Sequence, residues 1–367
     1  LKRRAGKALG RHPVPILLPP RPAAVIMAQA GPQAIMRMWG DVSVRAFATS
    51  LLEVAFDDNA DAHRKRVSSF CAGRWEIPFA ILAAYLAMVW GARQRRFSVA
   101  GAWTDRAFAA WNLALSLFSL WGAVEMGAWL REAVAVKGYW FTVCEDPYSF
   151  ETKGSSHATL ALFLFAFSKI PELGDTAFLI LRGKSVRFLQ WYHHSTVMLF
   201  CWLAIATEYT PGIWFAMTNY TVHAVMYMYF FLTAFPRLRR VVKAIAPLVT
   251  IIQITQMVYG LFINSFAVVN YLLGNYCHIQ DVAVYSAVAM YASYFVLFSQ
   301  LFLENRAPKA GSCRKGGEGG ASAAARAFSP APTAAPAAPV AEAQAPKYAA
   351  AGRFVGWRRR AVTAGLL

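Results

Sequence analysis

Lys169-Ile-Pro-Glu-Leu-Gly-Asp-Thr-Ala-Phe-Leu-Ile-Leu-Arg182-Gly-Lys-Ser-Val-Arg187-Phe-Leu-Gln-Trp-Tyr-His-His194 is the stretch whose reading decides the fold. It joins two apolar runs, His157 to Leu181 and Phe188 to Ala206, through a short turn carrying Arg182, Lys184 and Arg187. Each run approaches the ~20 residues that a helix needs to cross a hydrocarbon core. Yet Lys169, Glu172 and Asp175 lie inside the first run, and Gln190, His193 and His194 open the second. Ionisable groups are costly at that depth. They mark chemistry or ion movement inside a bilayer rather than idle positions.

Outward from this stretch the same grammar repeats. Five further apolar runs are Trp75 to Gly91, Phe108 to Leu130, Gly212 to Ala234, Ala244 to Ala267 and Val282 to Leu303. The expected fold is therefore all-α: a polytopic membrane protein of seven transmembrane helices. Composition agrees, with 57% hydrophobic and 15% charged residues among 367 and a mean hydropathy of +0.37. Residues 1–74 read as a partly disordered N-terminal tail with an irregular charged stretch from Asp57 to Arg66. Residues 75–304 form the helical domain, and 305–367 are an Ala/Pro/Gly-rich basic tail expected to be disordered. The first residue is not Met, so the chain reads as a fragment or as an over-extended start with initiation at Met27 or Met36.

A net charge of +18 would suggest nucleic acid if it were spread over the chain. It is not. Leu1 to Gly40 holds seven Lys/Arg and no acid, and Asn305 to Leu367 holds ten against Glu318 and Glu342. The two ends carry fifteen of the eighteen charges, so the middle is close to neutral. Basic tails attracted to anionic lipid, or simply solvated, account for this without a nucleic-acid partner.

The loops alternate in charge. Arg93, Arg95, Arg96 and Arg106 follow the first run; Arg182, Lys184 and Arg187 the third; Arg237, Arg239, Arg240 and Lys243 the fifth; Arg306 and Lys309 the seventh. The remaining loops hold Arg131, Lys137 and Lys153, offset by Glu132, Glu145, Asp146 and Glu151. Positive-inside bias puts the first group and the C-terminus in the cytosol. Of the five cysteines, only Cys144 and Cys277 then lie in non-cytosolic loops, as a disulfide or as two free thiols. No CxxC is present, and three histidines in apolar runs are too few for a multi-box di-iron centre, so no metal is expected.

Helical spacing gathers the polar groups. Gln190, His193 and His194 share one turn, and His193 lies roughly 9 Å from the edge marked by Arg187. Lys169, Glu172 and Thr176 are three and four apart, on a helix that Pro171 should bend. Asn219, His223 and Tyr227 follow at steps of four, and Gln253, Thr255 and Gln256 sit on the next run. These groups can converge on a site reached from the cytosol with an apolar channel beneath it. Plainer readings stand beside this one. Lys169 and Glu172 can form a structural ion pair, the glutamines can join helices, and Tyr227 and Tyr229 can serve packing. The three imidazoles supply nucleophile, base or ligand.

These motifs resemble the ELO family of fatty-acid elongases, the 3-ketoacyl-CoA synthases of the endoplasmic reticulum. Lys169 to Thr176 reproduces the family's KxxExxDT, and Phe188 to His194 its FLHxxHH except at Gln190. His223 to Phe230 matches HxxMYxYY with a final Phe, and Thr255-Gln256 matches a TQ pair. The likeness runs from about Trp75 to Glu304. It implies seven helices around a narrow acyl tunnel, and condensation of acyl-CoA with malonyl-CoA, releasing CO2 and CoA, without a cofactor. It also implies endoplasmic-reticulum residence, the cycle's reductases and dehydratase as partners, and a homodimer. By the same resemblance His193 would carry the acyl group with His223 opposite, and His194 and Asn219 would orient or polarise. Gln190 would hydrogen-bond where the family has histidine. Lys169, Glu172, Asp175, Thr176, Tyr227, Gln256 and Arg187 would bind substrate. Gln190 resembles elongases of polyunsaturated chains, whereas Trp191-Tyr192 and Asn219-Tyr220 resemble the branch acting on saturated and monounsaturated ones.

A seven-helix receptor or transporter is the alternative. A retinal protein would carry a lysine in the last run, and Val282 to Leu303 has none. Intramembrane Lys, Glu and Asp also mark ion paths in transporters.

Overall fold

The computed structural model describes residues 43–54, 56, 60–94, 98–99, 101–145 and 155–306. The chain divides after Asn305, and of the second unit only Arg306 is among the described residues. Expectations for residues 1–42 and 307–367, including the start site and the basic tails, lie outside them. The described residues contain twelve α-helices and no strand. They are α1 (Val44–Glu53), α2 (Ala60–Gly73), α3 (Glu76–Gln94), α4 (Ala102–Lys137), α5 (Tyr139–Cys144), α6 (Ser155–Ser168), α7 (Gly174–Leu181), α8 (Phe188–Ala206), α9 (Gly212–Thr233), α10 (Pro236–Ala244), α11 (Ala246–Leu272) and α12 (Asp281–Arg306).

All seven apolar runs fall on helices: α3, α4, the α6–α7 pair, α8, α9, α11 and α12. Four of these, α3, α4, α11 and α12, are long and apolar enough to cross a membrane. Helices α8 and α9 have 19 and 22 residues, but their polar groups dilute their hydropathy. The third run is divided. Pro171 lacks an amide hydrogen and crowds the preceding turn, so α6 gives way to a 3₁₀ turn at Pro171–Leu173 before α7 resumes.

The most extensive packing is between α4 and α9. Gly122 permits it, because a Cβ there would lie 2.4 Å from the Tyr220 ring. The Tyr220 hydroxyl continues past α4 to donate to the Ala161 carbonyl at 2.9 Å, tying in α6. Gly260 of α11 makes the equivalent allowance for Tyr291 of α12. Two buried clusters result. One joins α2, α4, α6, α8 and α9, and the other joins α8, α9, α11 and α12.

The N-terminal region departs from expectation. Residues 44–53 and 60–73 are helical: α1 follows Ser43, whose hydroxyl accepts from the Ala46 amide, and α2 packs on α8. Val67, Phe70 and Cys71 are buried there, and Trp202 donates to the Cys71 carbonyl at 2.8 Å. The charged stretch concealed this helix because one of its charges is internal. Arg64 is buried and pairs with Glu208 at 2.6 Å. At the same end of the bundle, Cys144 and Cys277 form a disulfide, and the His278 amide donates to the Cys144 carbonyl at 2.7 Å. Cys71 and Cys201 are free and buried.

Candidate active site

The 3₁₀ turn sets up a ladder between the α6–α7 segment and α9. On the first rung, Lys169 Nζ donates to Asn219 Oδ1 at 3.1 Å. The second places His223 Nδ1 3.9 Å from Glu172 Oε2. On the third, the Tyr227 hydroxyl donates to Asp175 Oδ2 at 2.7 Å. Three residues of 3₁₀ helix rise about 6 Å, as do four residues of α-helix. Steps of three on one strand of the ladder therefore meet steps of four on the other.

Each carboxylate is anchored on one side and faces an imidazole on the other. Glu172 Oε1 accepts from Lys169 Nζ at 2.7 Å and from the Ser168 hydroxyl at 2.8 Å. Lys169 also lies 4.3 Å over the Phe165 ring, and the Lys169 and Glu172 side chains are only 2% and 3% exposed. Glu172 Oε2 has no hydrogen-bond partner among the described residues, and it is this oxygen that faces His223. Asp175 Oδ1 accepts from Trp111 Nε1 at 2.7 Å, while Oδ2 lies 4.0 Å from His194 Nε2. Trp111 and Tyr227 thus hold Asp175 against α8.

Helix α8 brings the histidine pair from the other side. The His193 and His194 rings are 5.4 Å apart and nearly perpendicular. His194 is buried and turns toward Asp175. His193 is only partly buried and packs 4.7 Å from the Tyr294 ring of α12. The Tyr294 hydroxyl donates to the His193 carbonyl at 3.2 Å and shares a 2.6 Å bond with Thr196, which fixes this turn of α8. Gln190 is buried one turn earlier; its amide lies 3.4 Å from the Thr176 hydroxyl, itself 2.9 Å from the Tyr85 hydroxyl of α3.

Ten of the expected residues are therefore drawn together by α6–α7, α8 and α9: Lys169, Glu172, Asp175, Thr176, Gln190, His193, His194, Asn219, His223 and Tyr227. Four others differ. Gln256 is buried on α11, but Thr255 is exposed and bonds back to the Ile251 carbonyl, so the pair does not act as one unit. Gln253 meets the Met226 sulfur at 3.2 Å, a contact between helices. Arg187 is exposed and precedes the first residue of α8, outside the buried cluster. Trp111, Tyr85, Ser168 and Tyr294 complete the site and escaped the sequence reading. Aromatic residues in apolar runs carry no mark of a polar role, although Ser168 could have been noticed at i−4 from Glu172.

A separate small apolar cavity lies between α6, α8 and α9, and none of the three histidines lines it. Phe165, Ala166, Phe200, Cys201 and Phe215 line it, with Ser68 and Glu208 near its far end. Phe165 is one turn from Lys169, and Cys201 is about 10 Å along α8 from His194. The histidine site itself presents two carboxylate–imidazole pairs and, among the described residues, one further imidazole, His193, that no carboxylate faces.

Comparison with known proteins adds an independent line. The GNS1/SUR4 (ELO) family profile matches residues 70–311. Fatty acid elongase 3 of Trypanosoma brucei brucei is 40% identical over 215 residues, covering 52% of this chain and 70% of the relative. Fatty acid elongase 1 of the same organism is 41% identical over 210 residues, covering 56% and 68%. Very long chain fatty acid elongase 6 of Gallus gallus is 34% identical over 266 residues, covering 72% of this chain and 97% of the relative.

Proposed function

The chain belongs to the GNS1/SUR4 (ELO) family, and from that premise we propose that it is the condensing enzyme of fatty-acid elongation, joining a long-chain acyl-CoA to malonyl-CoA. The products are a 3-ketoacyl-CoA two carbons longer, CO2 and free CoA. The observation that carries this reading is the convergence of three imidazoles with Lys169, Glu172 and Asp175 from α6–α7, α8 and α9. Condensation needs a nucleophile for a thioester, a way to manage its proton, and a dry slot for the chain.

His193 is the imidazole best placed to take the acyl group, since no carboxylate faces it and it is the least buried of the three. A ring nitrogen would attack the thioester carbonyl, CoA leaving as the thiolate and taking up the displaced proton. Decarboxylation of malonyl-CoA then leaves an enolate. Its carbon bonds to the acyl carbon, and the ring departs as imidazolate with the electron pair of the broken C–N bond, taking up a proton from water to replace the one given to CoA. Glu172 would hold the His223 Nδ1 proton and turn Nε2 toward the reacting atoms. Asp175 would orient His194. Glu172 and Asp175 thus act through the histidines, not as the substrate contacts that the motif alone suggested.

The finer organisation follows on the same reading. Seven helical segments would span the bilayer, with α6–α7, α8 and α9 as the three that fall short of simple length and hydropathy criteria. The basic loops, the site mouth and the C-terminus would face the cytosol of the endoplasmic reticulum, and the disulfide its lumen. CoA's phosphates would be met on the cytosolic face, where Arg187 stands. Incubating the membrane-embedded protein with radiolabelled malonyl-CoA and a panel of acyl-CoAs tests the assignment. Label in a 3-ketoacyl product supports it; label in none, from correctly inserted protein, overturns it.

A further inference from the structure

Helix α10, Pro236–Ala244, links α9 to α11 and packs chiefly on these two chain neighbours. Wound at 100° per residue, its sequence separates into two edges. Leu238, Val241, Val242 and Ile245 share one edge with Phe235, while Arg237, Arg239, Arg240 and Lys243 occupy the other. Protein covers only part of the apolar edge. Val242 is 8% exposed, but Leu238, Ile245 and Phe235 are 43–46% exposed and Val241 is 73% exposed. Arg239 is partly committed, its Nε donating to the Thr233 carbonyl at the end of α9.

The next helix, α11, is long and apolar enough to enter the bilayer. Helix α10 therefore stands at the membrane boundary with its apolar edge uncovered and its cations beside it. We propose that α10 is an interfacial helix that binds anionic phospholipid. Leu238, Val241 and Ile245 would dip into the acyl–headgroup boundary while Arg237, Arg240 and Lys243 meet lipid phosphates. Two features favour a lipid surface over a soluble polyanion: the exposed apolar edge needs a hydrocarbon partner, and the short helix continues directly into a membrane segment. An uncharged bilayer could cover the apolar edge but would leave the three cations without counter-charges.

The test uses the full chain in nanodiscs of mixed phosphatidylcholine and phosphatidylserine, with co-isolated lipid measured by mass spectrometry. The native protein should retain phosphatidylserine in preference to phosphatidylcholine, and added salt should erode the preference. The R237Q/R240Q/K243Q variant, which leaves the Arg239 contact intact, should lose about fivefold in preference for each cation removed. Equal retention by native and variant protein would overturn the proposal. So would a native protein with no lipid preference whose retention of radiolabelled CoA in phosphatidylcholine nanodiscs is lost in the variant, since the basic edge would then serve CoA. Neither measurement requires turnover, so the outcome is separate from that of the elongase assignment.

Discussion

Removing the charges of Lys169 and Glu172 one at a time and then together separates a structural ion pair from a working carboxylate. Glu172→Gln alone leaves the Lys169 ammonium with Asn219 and the Phe165 ring in a site that admits almost no water. Breaking a buried pair from one side costs about 3–5 kcal/mol. For a chain of this size that corresponds to a fall of roughly 6–20 °C in the thermal midpoint. Adding Lys169→Met removes the orphaned charge and keeps the apolar stem against Phe165. Gln at 172 still accepts from Ser168, so the double variant should recover a stability near that of the native protein. Turnover should not recover. The oxygen lost from Glu172 is the one facing His223 Nδ1 at 3.9 Å, and an amide can turn its NH2 toward that nitrogen and stabilise the wrong tautomer. General acid–base contributions of this kind are worth about 10²–10⁴ in rate. The assay compares thermal midpoints and malonyl-CoA incorporation for the two single variants and the double variant in the same nanodiscs. A Glu172→Asp protein with partial activity would support a positioning role. A double variant regaining both midpoint and turnover would refute the reasoning, because the pair would then be structural only.

His193→Ala and His223→Ala should each abolish condensation without preventing membrane insertion, and normal turnover at native expression would exclude the acyl-imidazole route. Gln190→His should stay active, whereas Gln190→Leu should lose about two- to thirteenfold in kcat/KM, the equivalent of ~0.5–1.5 kcal/mol for the hydrogen bond lost to the Thr176 hydroxyl, which keeps Tyr85 as a partner; an equally active leucine protein would reduce Gln190 to space-filling. Pro171→Ala should let the 3₁₀ turn relax toward α-helix and shorten the Lys169-to-Glu172 step by up to about 1.5 Å, lowering kcat more than it raises KM; an unchanged kcat would show that the ladder tolerates that mismatch. Alkylation before and after reduction should label Cys144 and Cys277 only after reduction, and Cys144→Ser should destabilise the protein by ~2–4 kcal/mol.

Much of the fold was legible because lipid-depth helices announce themselves by length and loop charge. Even the interrupted third run was flagged by Pro171. The helices at 44–73 were not legible for a specific reason. His63, Arg64, Lys65 and Arg66 look like a solvated charge run, and nothing local says that Arg64 turns inward to meet Glu208, 144 residues away in sequence. Glu208 itself sits at a positive φ of 49° in the short link between α8 and α9, a conformation unusual for a non-glycine residue. The ion pair with Arg64 holds the Glu208 side chain at that turn, and neither partner is marked as internal by its sequence neighbours.

The site divides in the same way. Periodicity alone put Asn219, His223 and Tyr227 on one stripe, because a step of four is a property of a single helix. It also put Lys169 and Glu172 near each other. It could not pair the two sets rung by rung, since the register depends on a 3₁₀ rise matching an α-helical one across two elements. Nor could it tell a substrate contact from a group that orients a histidine. Both are polar residues within apolar runs, and the difference lies in which oxygen is already taken. Ser168 and Lys169 occupy Glu172 Oε1, and Trp111 and Tyr227 bracket Asp175. Each carboxylate is thereby turned toward one imidazole, His223 for Glu172 and His194 for Asp175, and His193 is left without one. On the acyl-imidazole reading proposed above, that asymmetry assigns the nucleophile to His193 and the attendant roles to His194 and His223, three histidines that the sequence presents as equals.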